Sequence, residues 1–215
     1  DCIYQIATGI KGLAEGDVRI ATYSSIASNW LPEVIKDFKK DYPSINITLM
    51  EGVKSEIIAH LEERKADIAF VSRLDKTNYD WIHLDDDPMI AVLPRSHPLA
   101  GHRSYPIAEC VNEDMIIPSL GYDEDLTIMF KRNNITPTIQ YRTVECFAAM
   151  AMIEKDLGMS IMNELITRNY KCDVVKIPLS PPEKIELGVA VPSFESASPA
   201  AKKFFEYAVR HLKRI

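Results

Sequence analysis

The sequence predicts an α/β protein with a parallel sheet, built as two similar halves. Three observations carry this. Short apolar stretches of strand length alternate with longer stretches whose apolar residues recur every three or four positions. The first such set, residues 17–72, reads β-α-β-α-β, and right-handed crossovers of that kind give parallel strands with helices on the sheet faces. The pattern breaks near Asp87–Met89 and again near Glu186–Val189, so the chain passes into a second half and returns.

The elements follow in order. Residues 1–15 read as helical through Ile3, Ile6, Ile10 and Leu13, and a helix with so little chain before it reads as cut from a longer protein. "DVRIATY" is a strand. "NWLPEVIKDFKKDY" is a helix with Trp30, Val34 and Phe38 on one stripe and Leu31 and Ile35 beside it. "INITLMEG" is a strand and "SEIIAHLEER" a helix, with Ser55 placed as a cap and Ile57, Ile58 and Leu61 inward. "ADIAFVS" is near-continuously apolar, as a buried parallel strand should be.

The second half repeats the theme. "WIHLDDDPMIAVLP" reads as two short extended pieces. "DMIIPS", "TIQYRT" and "GMSIMN" are strands, separated by the helices "DEDLTIMFKRNN" and "ECFAAMAMIEKD". A short helix "ELITRNY" and a strand "DVVKIPL" follow. "SPP" at 180–182 reads as a turn, and "IELGVAVP" as a separate strand. A closing helix starts after Ser198, its cap, with Pro199 in the first helical position.

Composition narrows the function classes. Hydrophobic residues at 47% and charged residues at 26% are ordinary for a soluble globular chain. No apolar run approaches the ~20 residues that span a bilayer, so no membrane partner is expected. The net charge of −6 argues against nucleic-acid binding by this chain itself. Cys2, Cys110, Cys146 and Cys172 form no C-x-x-C pair and no zinc spacing, so free, mostly buried thiols in a reducing compartment are expected. Cys146 opens a helix, a position that lowers a thiol pKa. Asp85, Asp86 and Asp87 alternate sides on an extended chain and do not converge on a metal; a solvated acidic linker is expected. No cofactor motif is present, and neither cofactor nor metal is expected.

The stretch "TYSSIASNWLP" puts Ser24, Ser25 and Ser28 where the first strand becomes a helix. It lacks the glycines of a nucleophile elbow, and no histidine is placed as its base, so no enzyme is expected. One serine suffices as a cap. Pro32 is tolerated only if the regular helix begins around Trp30 or kinks there, which leaves Ser24 to Ser28 as a polar loop or loose first turn. Open α/β sheets bind ligands beyond the carboxyl ends of their strands. Small polar residues recur at those ends: Ser24 and Ser25, Gly52 and Val53, Ser72 and Arg73, Ser119, Thr143 and Asn163. Together they describe a hydroxyl-lined cleft between the halves. Arg73 is placed either to fork onto a ligand carboxylate or to form a surface salt bridge, for instance with Asp75.

In order along the chain, the first strand, its serines, the L-P of the first helix and the Y-P before the second strand resemble the effector-binding domain of LysR-type transcriptional regulators. "IAVLPRSHPLAG", "TVECFAAMAMIEKDLGMSIMNE" and "LGVAVPSFESASPAAKKFFEYAVRHL" resemble that family's crossover, pocket helix and return strand. The resemblance implies two Rossmann-like subdomains joined by two crossover strands, as in type 2 periplasmic binding proteins. Residues 1–16 would end a linker helix, 17–87 plus 189–215 would form subdomain I, and 88–188 subdomain II. By position, the ligand-binding residues would be Ser24, Ser25, Ile26, Val53, Ser72, Arg73, Ser119, Leu120, Thr143, Val144 and Phe147. The implied partners are a small polar or anionic effector and further copies of the chain, as a homodimer or homotetramer. DNA would be read only through an N-terminal winged helix-turn-helix outside this chain, in the bacterial cytoplasm. The family's redox sensors use a cysteine pair that Cys110, Cys146 and Cys172 do not reproduce. The competing reading is a transport solute-binding protein of the same fold, which would need export or a lipid anchor.

Overall fold

The computed structural model describes residues 15–74, 79–119 and 123–213. The expected helix over residues 1–15 falls almost wholly outside them, as do Cys2, Asp75 and Leu120. The chain divides between Asp85 and Asp86 and again between Ile185 and Glu186, giving a first unit from the two ends and a second from Asp86–Ile185.

In the first unit β1 (Gly16–Thr22) is flanked in parallel by β2 (Ile45–Glu51) and β3 (Ile68–Ser72). The return strand β9 (Val174–Val191) then pairs antiparallel with β3, Ala69 opposite Ala190. The sheet is therefore mixed, not parallel throughout, because its last strand comes back from the second unit. Its order is β2-β1-β3-β9-β4, where β4 is Asp80–Pro94. Every residue of β3 is buried, which is why its sequence is apolar without alternation, whereas edge strand β2 alternates.

The helices of this unit follow their apolar stripes. Of the two forms expected, a polar loop or a loose first turn, Ser24–Asn29 takes the helical one, as the short helix α1. Trp30 sits at the joint, and α2 (Leu31–Asp41) starts afresh with Pro32 in its first turn, where a missing N–H costs nothing. Trp30, Leu31, Val34 and Phe38 are buried, and Ile35 is only half-buried. α3 (Lys54–Glu62) begins one residue before Ser55, so the expected cap Ser55 lies inside the helix and the cap position falls to Val53, whose N–H donates to Glu56 Oε2 at 3.0 Å. α3 covers the face carrying Ala21, Ala69, Val71 and Ala190 with Ile57 and Leu61. α7 (Pro199–Leu212) is capped by Ser198, which accepts from the Ala201 N–H, as expected. It packs on α2 through edge-on contacts of Phe38 with Phe204 at 5.1 Å and Tyr207 at 5.3 Å. Gly188 lies so close to Trp81 that a Cβ there would stand 2.3 Å from the indole and 2.5 Å from the Ile82 carbonyl.

In the second unit β4 is continuous through "WIHLDDDPMIAVLP", where two pieces were expected. Its end pairs antiparallel with β8 (Ser160–Asn163), Met89 opposite Asn163. The strand's twofold alternation sends Met89, Ala91 and Leu93 to one core and Ile90 and Val92 to another. Both faces are thus buried. α4 (Glu124–Arg132) fills the first core, with β6 (Asp114–Ile117), and α5 (Cys146–Ile153) and α6 (Glu164–Thr167) the second. β6 pairs in parallel with β7 (Thr138–Arg142), and β5 (Tyr105–Pro106) with β9. The turn expected at Ser180–Pro182 is part of β9. Those residues are solvent-exposed, a place where proline's missing donor is tolerated in a strand.

The acidic triplet is not a solvated linker. Asp86 pairs with Lys184, and Asp87 is only 3% exposed. Asp87 accepts the Leu165 N–H at the start of α6 at 2.9 Å and the Asn163 amide at 2.5 Å. Burial raises its pKa against the pull of those two donors.

Candidate functional site

In the first unit three parallel strands end together. The Gly52 N–H donates to the Thr22 carbonyl at 3.2 Å and the Tyr23 N–H to the Phe70 carbonyl at 3.3 Å, which aligns the ends of β1, β2 and β3. Ser24, Ser25, Val53, Ser72 and Arg73 are therefore brought to one edge, as the sequence predicts. Ser72 is 2% exposed and its hydroxyl meets the Tyr23 hydroxyl at 3.0 Å. Ser25 is 4% exposed, and Ser24 is half-buried. Among the described residues, neither the Ser24 nor the Ser25 hydroxyl is engaged in a hydrogen bond. Their carbonyls are engaged: Ser28 Oγ donates to Ser24 O at 2.8 Å and Asn29 Nδ2 to Ser25 O at 2.8 Å. Ser28 thus serves the helix, while Ser24 and Ser25 keep donor and acceptor capacity. The Ile26 side chain is wholly buried in the core, and its N–H donates to the Tyr23 carbonyl.

Arg73 forms a salt bridge with Glu186 at 3.0 Å, and its guanidinium stays well exposed; the expected partner Asp75 lies outside the described residues. Lys54, unnoticed in the sequence, is almost fully buried and donates from Nζ to the Arg73 carbonyl at 2.9 Å. A signal was present: a lysine in the first turn of a helix opposes the macrodipole and needs a local reason. Tyr23 was also missed, because only the fold places it over Ser72.

In the second unit β6 and β7 end side by side. The Thr143 N–H donates to the Ile117 carbonyl at 3.0 Å and the Ser119 N–H to the Val144 carbonyl at 3.1 Å. Ser119, Thr143 and Val144 thereby share one edge, with Phe147 in the first turn of α5. Ser119 has φ of 55°, a left-handed backbone that serine rarely adopts. Thr143 Oγ1 donates to the Glu145 carbonyl at 3.0 Å. Asn163 is spent on Asp87. Burial pushes the Cys146 thiol up to about 12, against the lowering expected at a helix start. Cys110, fully buried, is likewise pushed up to about 12.

Comparison with known proteins places this geometry in a family. Residues 11–213 match the model of the LysR substrate binding domain. The chain is 31% identical over 208 residues to the uncharacterized HTH-type transcriptional regulator YvbU of Bacillus subtilis, covering 96% of this chain and 71% of that protein. Among solved structures, the effector binding domain of QuiR in complex with shikimate superposes with a TM-score of 0.83 at 22% identity, covering 94% of this chain and 99% of that one. The regulatory domain of Synechocystis CcmR in complex with 2-PG gives 0.84 at 19% identity, with the same coverage. The fold is thus that of LysR effector-binding domains, the type 2 periplasmic-binding-protein arrangement. The chain belongs to the LysR substrate binding domain family.

Proposed function

We propose that this domain senses a small polar or anionic molecule, held in the first unit by the Ser24, Ser25 and Ser72 side chains, at the strand ends that Ile26 and Val53 also flank. By sequence position, Ser119, Leu120, Thr143, Val144 and Phe147 are the second unit's own proposed ligand contacts. One observation carries the reading: two adjacent serine hydroxyls at the end of β1, one nearly buried, make no hydrogen bond among the described residues. Each such hydroxyl can both donate to and accept from a ligand. Family membership favours a transcription regulator over a transport solute-binding protein. Proteins of the same fold were solved in complex with shikimate and with 2-PG. Lys54 and Arg73 supply positive charge near the same edge, and Arg73 would have to exchange Glu186 for a ligand carboxylate.

Binding acts as a population shift. An effector that prefers one arrangement of a homodimer or homotetramer favours it, and the preference passes to DNA through the N-terminal domain of the regulator. The domain carries out no reaction in this reading. A thermal-shift screen of organic acids and amino acids tests it. Stabilisation by acids, reduced in Ser25→Ala, supports the reading, and stabilisation only by cationic compounds overturns the anion part.

A further inference from the structure

A chain of polar side chains runs beneath the loop that follows β4. The His97 side chain is 10% exposed, and its Nε2 stands 3.0 Å from Glu113 Oε1. The same Glu113 oxygen accepts the Tyr105 hydroxyl at 3.2 Å. Tyr105 is wholly buried and lies against Cys110, also wholly buried, in the 3₁₀ helix Ile107–Asn112. On the other side of the ring, His97 Nδ1 accepts the Leu99 N–H at 3.1 Å. These bonds assign the ring's proton. Nδ1 is an acceptor, so the ring is neutral, and its N–H, on Nε2, is donated to the Glu113 carboxylate.

The same geometry fixes what a second proton does. It can enter only at Nδ1, where the new N–H points at the Leu99 N–H, donor against donor. The ring cannot keep both partners. An imidazolium holds a carboxylate more strongly than a neutral ring holds a main-chain N–H, so Leu99 is the partner released. Leu99 packs against the core that contains Leu93, Tyr105 and Cys110. Its carbonyl accepts the His102 N–H at 3.0 Å, and the His97 N–H donates to the Pro94 carbonyl at 3.1 Å, so the ring bond joins two turns of one loop.

We propose that His97 is an acid-sensing latch of the second unit: a second proton on the ring binds it to Glu113 and releases the loop at Leu99. The groups that face the ring are Glu113, just before β6, and Tyr105 from β5, with Cys110 and Glu109 of the 3₁₀ helix behind Tyr105. Burial raises the Tyr105 hydroxyl and pushes the Cys110 thiol up to about 12, so neither ionises where imidazole titrates. On the loop itself Arg95 is paired with Asp173, and Ser96 with Asp156. The latch sits at the start of β6 and Ser119 past its end, so proton sensing acts on this unit apart from the expected ligand contacts.

NMR of the nitrogen-labelled chain tests this, reading the His97 ring protons and the exchange of the Leu99 N–H in one titration from about pH 8 to about pH 5. At the high end the ring proton is expected on Nε2. As the ring takes its second proton, Leu99 protection, corrected for the intrinsic pH dependence of exchange, is expected to fall about three- to tenfold, the loss of one hydrogen bond. Glu113→Gln keeps an acceptor for the Nε2 proton but not the charge, so the fall comes at lower pH. His97→Gln leaves Leu99 protection independent of pH over the range. A ring proton on Nδ1 at high pH overturns the proposal, as does Leu99 protection that stays constant while the ring protonates. An unmoved midpoint in Glu113→Gln refutes Glu113 as the holding charge and with it the latch. A fall that persists in His97→Gln belongs to another group, such as His102 in the same loop, and the proposal fails. Where a variant does not fold, the ring proton and the Leu99 exchange of the unaltered chain decide alone.

Discussion

Removing the Asp87 carboxylate should unfold the second unit more readily, and the structure sets the size of the effect. Asp87 is almost fully buried and satisfies two donors, the Leu165 N–H at 2.9 Å and the Asn163 amide at 2.5 Å. Asp87→Ala orphans both, at about 1–3 kcal/mol each, while relieving part of the cost of a buried charge. The net loss is about 2–4 kcal/mol. Asp87→Asn keeps an oxygen for Leu165 but turns an N–H₂ toward Asn163, so about half the loss is expected. The assay is urea unfolding followed by circular dichroism. The pH dependence has a definite sign. Burial raises the folded pKa above its ordinary value, so between the two pKa values the folded state binds more protons than the unfolded chain. The stability Asp87 contributes is fullest below the ordinary aspartate range and declines as pH rises through the raised value. The gap between the unaltered protein and Asp87→Ala therefore narrows from acid to neutral pH. A variant within about 0.5 kcal/mol of the unaltered chain refutes the buried-cap reasoning, and a gap that widens with pH refutes the assigned direction.

Other expectations follow from the same packing. Gly188→Ala drives a methyl into Trp81 and the Ile82 carbonyl, so it should cost about 1–3 kcal/mol or more and red-shift the tryptophan emission; an unchanged melting curve contradicts the close approach. Phe38→Ala empties a site with no solvent exposure between α2 and α7 and should cost about 3–5 kcal/mol in urea unfolding. Cys110 and Cys146, their pKa pushed up to about 12 by burial, should resist Ellman's reagent at pH 8 until the protein unfolds; fast labelling of either in the native state contradicts that burial.

Much of this was legible because local pattern and tertiary outcome agree. The β-α-β-α-β of the first unit follows from apolar periodicity alone, and the place of Pro32 correctly delays the regular helix. What failed were long-range effects. The triplet Asp85–Asp87 looks solvated because nothing local shows that residue 87 will meet residues 163 and 165. Ser180–Pro182 has turn chemistry, yet it runs through β9 because that segment is exposed and needs no donor there. The Cys146 thiol sits at a helix start, but packing against the α5 core decides its pKa. At the candidate site the strand-end serines were readable from sequence. The Tyr23–Ser72 contact, the buried Lys54 and the Phe147–Tyr170 stack join residues distant in the chain, or depend on burial, and only the fold brings them out.

The central claim is that Ser24 and Ser25 hold the effector. Calorimetric titration of organic acids into the unaltered chain and into Ser24→Ala/Ser25→Ala tests it most directly. The account predicts saturable binding by the unaltered chain and at least about a tenfold loss in the double variant, the effect of removing two ligand hydrogen bonds, with an unchanged melting temperature in the absence of acid. Binding of equal strength in both proteins would contradict it.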